Sequence, residues 1–530
     1  MPRPCTVARR IGPRLLHKGV SGSSWPFADW VSSDDRGRVV SLLESYDPVV
    51  ESARRVNAST LPTGGTAEIH DLNYVRSSRI HAEPHKISED DVSILSAALV
   101  AHARLDDVES CAHLLESYWR NYHLRSRVSL DRQASFFLEA NAAEAYCALG
   151  NIPAAALHSR RALSMSANAA ESFRAKSVLA LCLGLRGDMA AASVEVSKCD
   201  GLAQRNDPSW SQDSYILNMA RFLVLANDQD ADGLLRTAAN LRQSDGSDDC
   251  VHYAADVVTV QAQVLSGDID EAVCLASDLL ASGSSRGHWT VRAILLSLHF
   301  DILLLRGEPR RALAVLSACD PPVPPLVCVE VHRAMALQMM GDYRSVLRVT
   351  QPCLGRIAEH GLRAAVAIML VRGVAQHRLG ENVRARRSLT DGLRMAARGS
   401  LSSAAFVGLA GVDLSEVVRW LGDVTPEATV LLSQLERYRR SLSNPPLPFV
   451  VPVLTSREES LAWSIYHGAS NKDIAEKDGV SVNTVKVQLS TLYRKLGVAS
   501  REQALAFLDE RDFFMSSVNE QLFCERLKRE

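Results

Sequence analysis

A short turn signal recurs through the middle of the chain and constrains the fold more than any other feature. Gly150-Asn151, Gly187-Asp188, Asn227-Asp228, Gly267-Asp268, Gly307-Glu308, Gly341-Asp342 and Gly380-Glu381 follow one another at spacings of 37, 40, 40, 40, 34 and 39 residues. Each pair follows a segment with helical spacing of Ala and Leu and precedes another, with few β-branched runs between residues 88 and 440. Glycine ends a helix because it accepts the left-handed backbone at the C-cap, and the acid or amide after it suits the start of the next helix, at the positive end of its dipole. Small residues three to five positions after the Gly, such as Ala154, Ala155 and Ala272, let the second helix approach the first closely.

Each unit therefore reads as a helical hairpin, and stacked hairpins predict an α-solenoid with a concave face. The period and the punctuation resemble tetratricopeptide repeats in a degenerate, slightly elongated form, which implies an architecture and no particular ligand. The expected fold is all-α: a solenoid of helical hairpin repeats over residues 88–442, a linker at 443–453, a four-helix helix-turn-helix domain at 454–511 and a tail at 512–530. Residues 1–87 stay unassigned, with short helices expected at Val39–Tyr46 and Val49–Val56 and a loop at Ser59–Thr66. The five cations before Asp29 read as a basic arm rather than a secretory leader, since no apolar run follows them.

Several function classes are disfavoured. No apolar run approaches the length needed to cross a bilayer. The eleven cysteines are scattered, odd in number and without a C-x-x-C, which argues against a disulfide framework or a zinc module and for a cytoplasmic setting. No phosphate-cradling G-x-x-x-x-G-K-[ST] and no H-E-x-x-H occur. Gly283-Ser284-Ser285-Arg286-Gly287 matches a nucleophile-elbow string but lacks the strand before it and the alternating β/α context, so an inter-helix linker is the better reading. Histidines such as His332 and His360 are isolated and read as packed or surface residues. No catalytic residue, cofactor or metal site is expected, and the protein reads as a non-enzyme.

The C-terminal segment carries a more specific signal. Ser443-Asn-Pro-Pro-Leu-Pro448 breaks the helical pattern. Beyond it, Thr455 with Glu458, Ser470 with Asp473 and Ser500 with Gln503 have capping-box spacing, and Ser481 is a good N-cap for a helix that Gly497 stops. In that third helix Val485, Leu489, Leu492 and Leu496 form an apolar stripe, while Asn483, Lys486, Val487, Ser490 and Arg494 share the other side. From Ser481 to Leu496 there are three cations and no acid, although the whole chain carries a formal charge of −2. A basic, acid-free face beside an apolar stripe fits insertion into a major groove, and an ordinary solvated face fits it about as well.

The string closely resembles the LuxR-type helix-turn-helix of bacterial transcription regulators. The resemblance rests on Leu454, Thr455, Arg457, Glu458, Gly468, Ser470, Asn471, Lys472, Ile474, Ala475, Ser481, Thr484, Val485, Lys486, Lys495, Leu496, Val498, Arg501 and Ala504, all at that family's spacings. It implies a double-stranded DNA partner, with Lys486, Val487 and Ser490 reaching base edges and Asn483 and Arg494 nearby. It further implies phosphate contacts for Asn471, Lys472, Thr484 and Lys495, scaffold roles for Arg457 and Glu458, and a homodimer on DNA through the fourth helix, with Leu505 and Leu508 as contacts. The chain departs from the pattern at Ala462, Ser464 and Asp478, where Leu is usual, and at Gln488, where His is usual. Tyr466 is expected to refill some of the lost core volume.

The layout is similar to the helical-repeat and DNA-binding portion of MalT-like regulators, without the NTPase string. The expected function is a cytoplasmic transcription regulator whose repeats bind an unidentified protein or small molecule. The alternative is a repeat scaffold whose divergent helix-turn-helix contacts protein instead of DNA, a reading to which Asp478 lends support.

Overall fold

The computed structural model describes residues 47–62, 69–78, 83–105, 107–244, 249–281, 289–318, 328–357, 360–402, 420–421, 429, 454, 456–496 and 498–509. Among them are 24 helices and one two-stranded antiparallel ribbon, so the fold is all-α. Backbone packing divides the chain into Met1–Glu51 and Ser52–Glu530, and the array and the C-terminal helices both belong to the second unit. The helix expected at Val39–Tyr46, the basic arm, the Ser285 string, the linker at 443–453 and the tail after Asp512 lie outside the described residues.

The turn signal closes in the same way seven times. Gly150, Gly187, Gly267, Gly307, Gly341 and Gly380 all take positive φ, between 73° and 92°. At each, the glycine N–H bonds the carbonyl three residues back, and the next residue's N–H bonds the carbonyl five positions before itself. That double closure satisfies carbonyls a helix end leaves open. The seventh turn is offset from the reading at Asn227-Asp228. The left-handed residue is Gln229 (φ 61°) and the next helix is capped by Asp230, so an Asn/Asp pair that looks like the signal lies in the last turn of the preceding helix. The side chain after the turn also has a more definite role than dipole complementarity. Asn151, Asp188, Asp230 and Asp342 each accept a backbone N–H three residues on, as true N-caps.

Four residues beyond that cap position the side chain is wholly buried in all seven units: Ala155, Ala192, Leu234, Ala272, Ala312, Val346 and Ala385. Five of the seven are alanine, the smallest side chain that still favours a helix, which suits a position enclosed between packed helices. Each helix packs mainly on its neighbours one and two places along the chain, as in a repeat array.

Two findings go beyond the expected architecture. The packed region starts upstream of residue 88, because helices Pro48–Ser59 and Ile69–Ser77 precede the first repeat. Asn141 Nδ2 donates to Asn57 Oδ1 (2.9 Å), and Asn57 Nδ2 donates to Ser93 O (3.1 Å). The array also meets itself. Met189 N donates to Gly399 O (3.0 Å), Asn227 Nδ2 to Ser400 O (3.0 Å) and Ser402 N to Asn227 Oδ1 (2.8 Å). A Cβ at Gly399 would collide with Leu362 and come within 2.9 Å of Gly187 O, so glycine is required where these remote turns touch.

A buried charge cluster joins three helices near the start of the array. Glu144 lies between Arg104, whose Nε donates to it at 3.0 Å, and the buried Arg174. Burial alone raises a carboxyl, but the two guanidinium groups outweigh it and hold Glu144 at about 2. His332 is packed as expected, edge-on against Phe300 with centroids 4.9 Å apart.

Candidate nucleic-acid interface

Four helices form the C-terminal domain: Ser456–Tyr466, Asn471–Asp478, Val482–Leu496 and Arg501–Asp509. Local chemistry sets their ends. Ser470 Oγ accepts Asp473 N–H (3.3 Å) while Asp473 Oδ2 accepts Ser470 N–H (2.8 Å), a complete capping box. Gly479 ends the second helix in the left-handed region, φ 66°, and makes the tight turn into the third. Thr484 N–H donates to Ser481 Oγ at 3.1 Å, which caps the third helix. At the fourth helix Ser500 accepts Gln503 N–H, but Gln503 reaches back to Ala499 N–H (2.8 Å), one residue before the expected partner. Thr455 and Gly497 lie outside the described residues.

The apolar stripe Val485, Leu489, Leu492 and Leu496 is buried against Leu461, Ile465, Ile474 and Leu508. Ala462 and Ser464 are also buried, and the Ser464 hydroxyl donates to Ser460 O (2.8 Å), so the polar group is satisfied inside its own helix. Tyr466 does not refill the core. It is 45% exposed and stands edge-on to Trp463 and His467, because its position in the last turn of the first helix faces outward.

With one face of the third helix buried, the other is presented to solvent. Asn483, Lys486, Val487, Ser490 and Arg494 are all exposed, Val487 by 66%. Asn471, Lys486, Ser490 and Arg494 surround one open hollow of about 530 Å³, which brings the second helix to the reading face of the third. Asn483 and Val487 do not line that hollow. Tyr493, absent from the sequence-based set, does: it is half-buried, and burial raises its phenol, which therefore remains a neutral O–H donor. It follows Leu492 of the apolar stripe and lies at the boundary between the buried and the exposed face.

The expected phosphate contacts separate into two groups. Asn471 and Lys472 lie in the first turn of the second helix, and Lys472 is exposed. Thr484 shares its hydroxyl with Ser481 (2.8 Å), and Lys495 Nζ is held by Glu458 Oε2 at 2.6 Å. A phosphate at Lys495 would therefore compete with a carboxylate.

Two departures from the family pattern turn out to be joined. Arg457 Nη2 lies 2.9 Å from Asp478 Oδ2 and donates to Gln488 Oε1 at 3.1 Å. The acid where Leu is usual and the amide where His is usual thus share one guanidinium, which bridges the first three helices. Arg501 Nη2 donates to the carbonyls of Ile465 and Ala469, closing the end of the first helix with the fourth.

Comparison with known proteins agrees with this geometry. Residues 452–508 match the family described as bacterial regulatory proteins, luxR family. The C-terminal domain is of the LuxR type. Over 53 residues the chain is 47% identical to a probable transcriptional regulatory protein, SgaR, of Hyphomicrobium methylovorum. That similarity covers 10% of this chain and 25% of SgaR, so the chain spans only about a quarter of that relative's length. Among solved structures, a Rap protein in complex with competence and sporulation factor is similar at 10% identity and a TM-score of 0.38, over 75% of this chain and 98% of that one.

Within the LuxR-type domain the two residues expected at a dimer contact differ in availability. Leu508 is fully buried in the domain's own core, and Leu505 packs partly against it. A two-fold contact along this helix would have to use Leu505 and its exposed neighbours, such as Ala506 and Asp509.

Proposed function

We propose that the protein is a bacterial transcription regulator that binds double-stranded DNA through the third helix of its LuxR-type domain, with no catalytic role. The observation that carries the reading is the exposed face of that helix. Lys486 and Arg494 have no carboxylate partner among the described residues, and they share a hollow with Asn471 and Ser490. Long cationic and amide side chains on one exposed helix suit donor and acceptor patterns in a major groove, and Lys472 in the first turn of the second helix suits a phosphate. A homodimer on paired half-sites and a cytoplasmic setting belong to the same proposal. Among the described residues no helix is long and apolar enough to cross a membrane. The repeat array is proposed to take a protein or small-molecule signal that biases dimerisation or exposure of the reading helix.

The protein-docking alternative drew its support from Asp478 and from the near-neutral charge of the domain, and the acid-free third helix opposed it. The Asp478 carboxylate is used by Arg457 at the edge of the core rather than presented on the reading face, and this favours the DNA reading.

Genome-wide recovery of DNA with the native protein beside Lys486→Ala tests the proposal. Enrichment of a few promoters with a shared two-fold motif, lost in the variant, is the expected result and corresponds to about 1–3 kcal/mol for a base contact. Failure of the native protein to enrich any site across several growth conditions would overturn it.

A further inference from the structure

Cys328, Cys353 and His360 lie on three successive segments and come together in the second half of the array. Cys328 caps the helix Val329–Met339, Cys353 lies in the short helix Gln351–Gly355, and His360 precedes the helix Leu362–Arg378. The two sulfurs are 3.7 Å apart, and both lie within 4.8 Å of a His360 ring nitrogen. Both cysteines are buried free thiols, and His360 is half-buried. Among the described residues this is the single place where three Cys, His or carboxylate ligand atoms converge so closely.

We propose that Cys328, Cys353 and His360 bind a thiophilic divalent cation of the zinc class. Two sulfurs at the usual Zn–S length of ~2.3 Å around a tetrahedral centre stand about 3.8 Å apart, close to the spacing between Cys328 and Cys353. The imidazole needs a shift of about 1 Å to complete three corners. Glu330 Oε2, 3.7 Å from Cys328 Sγ, is the nearest candidate for the fourth, with water as the other. Two thiols and an imidazole select zinc-like ions over magnesium or calcium, which prefer oxygen. On binding, each thiol releases its proton to solvent, and the two thiolates neutralise the 2+ charge.

Another close sulfur pair, Cys147 with Cys182, lies elsewhere in the array without a histidine beside it and serves as the control. Spacing explains why no motif announces the site: 24 residues separate the cysteines and six separate Cys353 from His360.

The inference does not depend on DNA binding, because its test reads the ion in the protein itself. The reduced full-length chain is titrated with Co2+ and followed by thiolate-to-cobalt charge-transfer absorption. The expected result is one equivalent per chain, displaced by Zn2+, lost in the Cys328→Ser/Cys353→Ser variant and retained in Cys147→Ser/Cys182→Ser. His360→Ala, which removes no buried sulfur, is expected to weaken uptake at least tenfold with unchanged far-ultraviolet circular dichroism, and it decides the matter should the double-serine variant not fold. The absence of a charge-transfer band in the native protein, its survival in Cys328→Ser/Cys353→Ser, or unchanged affinity in His360→Ala would each overturn the proposal. So would a Cys328–Cys353 disulfide whose reduction restores no cation uptake.

Discussion

The array spends several of its cations on carboxylates between helices, whereas the reading helix presents cations that are not so spent. In the array Arg104 and Arg174 are committed to Glu144, Arg132 to Glu171, Arg221 to Asp200 and Arg363 to Asp301. These pairs link helices from different hairpins and hold the repeats in register. In the C-terminal domain Arg457 and Lys495 follow the same rule, but Lys472, Lys486 and Arg494 have no such partner among the described residues and face solvent. Charge content therefore does not distinguish scaffold from interface here. What marks the reading helix is that its unpaired cations share one exposed face with no acid on it.

The largest effect is expected from removing the carboxylate of the most buried cluster. Glu144→Ala leaves Arg104 and Arg174 facing each other with Arg174 fully buried, a loss expected to destabilise by about 3–5 kcal/mol. Because a long array need not unfold in one step, the check is hydrogen exchange in the helices Glu89–Arg104, Arg132–Ala148 and Ala169–Arg186, which should all lose protection together. The same cluster sets an acid limb. With Glu144 near 2 in the folded state, below the ordinary carboxyl value of 4.5, its contribution is present above about 4.5 and is lost as pH falls towards 2. Glu144→Gln should remove that part of the acid dependence.

Next in size is the contact between remote turns. Gly399→Val places a side chain against Leu362 and Gly187 O and is expected to cost about 1–3 kcal/mol through overpacking. The measurement is thermal unfolding of the full chain, beside Gly341→Ala, a glycine with open space around it but positive φ. Gly399 has φ −89° and carries no left-handed strain, so if Gly399→Val melts no lower than native while Gly341→Ala does, the contact between turns tolerates a side chain and glycine is not required there.

On the reading helix the expected effects appear in binding rather than in folding. Lys472→Ala should weaken DNA binding evenly across sequences and lower the salt slope by about 1, whereas Lys486→Ala should relax preference at one position. Equal loss on specific and non-specific DNA for both variants would mean that Lys486 also only touches phosphate.

Much of this organisation was legible in the residues. The turn signal located six of seven hairpin turns because a left-handed residue there all but requires glycine. It missed the seventh because Gln229 adopts the same backbone without advertising it. The apolar stripe and exposed face of the third helix were legible because a period of 3.6 sorts side chains onto faces before any tertiary contact forms. What stayed hidden depends on partners distant in sequence. Nothing local tells that Arg457 joins Asp478 and Gln488, that Leu508 is turned inward, or that Cys328, Cys353 and His360 meet. The array's contact with itself, between Met189 and Gly399, is hidden for the same reason.

The smallest expected effect tests whether the Arg457 bridge is a scaffold or an adaptation of the interface. Asp478 is mostly shielded and Arg457 about one-third exposed, so the pair should contribute within about 1 kcal/mol. Asp478→Leu places the family's usual apolar residue at the same site. It loses the ion pair but gains apolar burial, so thermal stability of the domain within the full chain should change little in either direction. Arg457→Ala differs, because it strips Asp478 of its cation and Gln488 of its donor together, and it should cost more than Asp478→Leu. If DNA affinity follows that order while Lys486 stays intact, the bridge acts by holding the third helix at its angle to the first two. If Asp478→Leu alone tightens DNA binding by more than tenfold, the native acid weakens the interface by charge even while it is paired with Arg457.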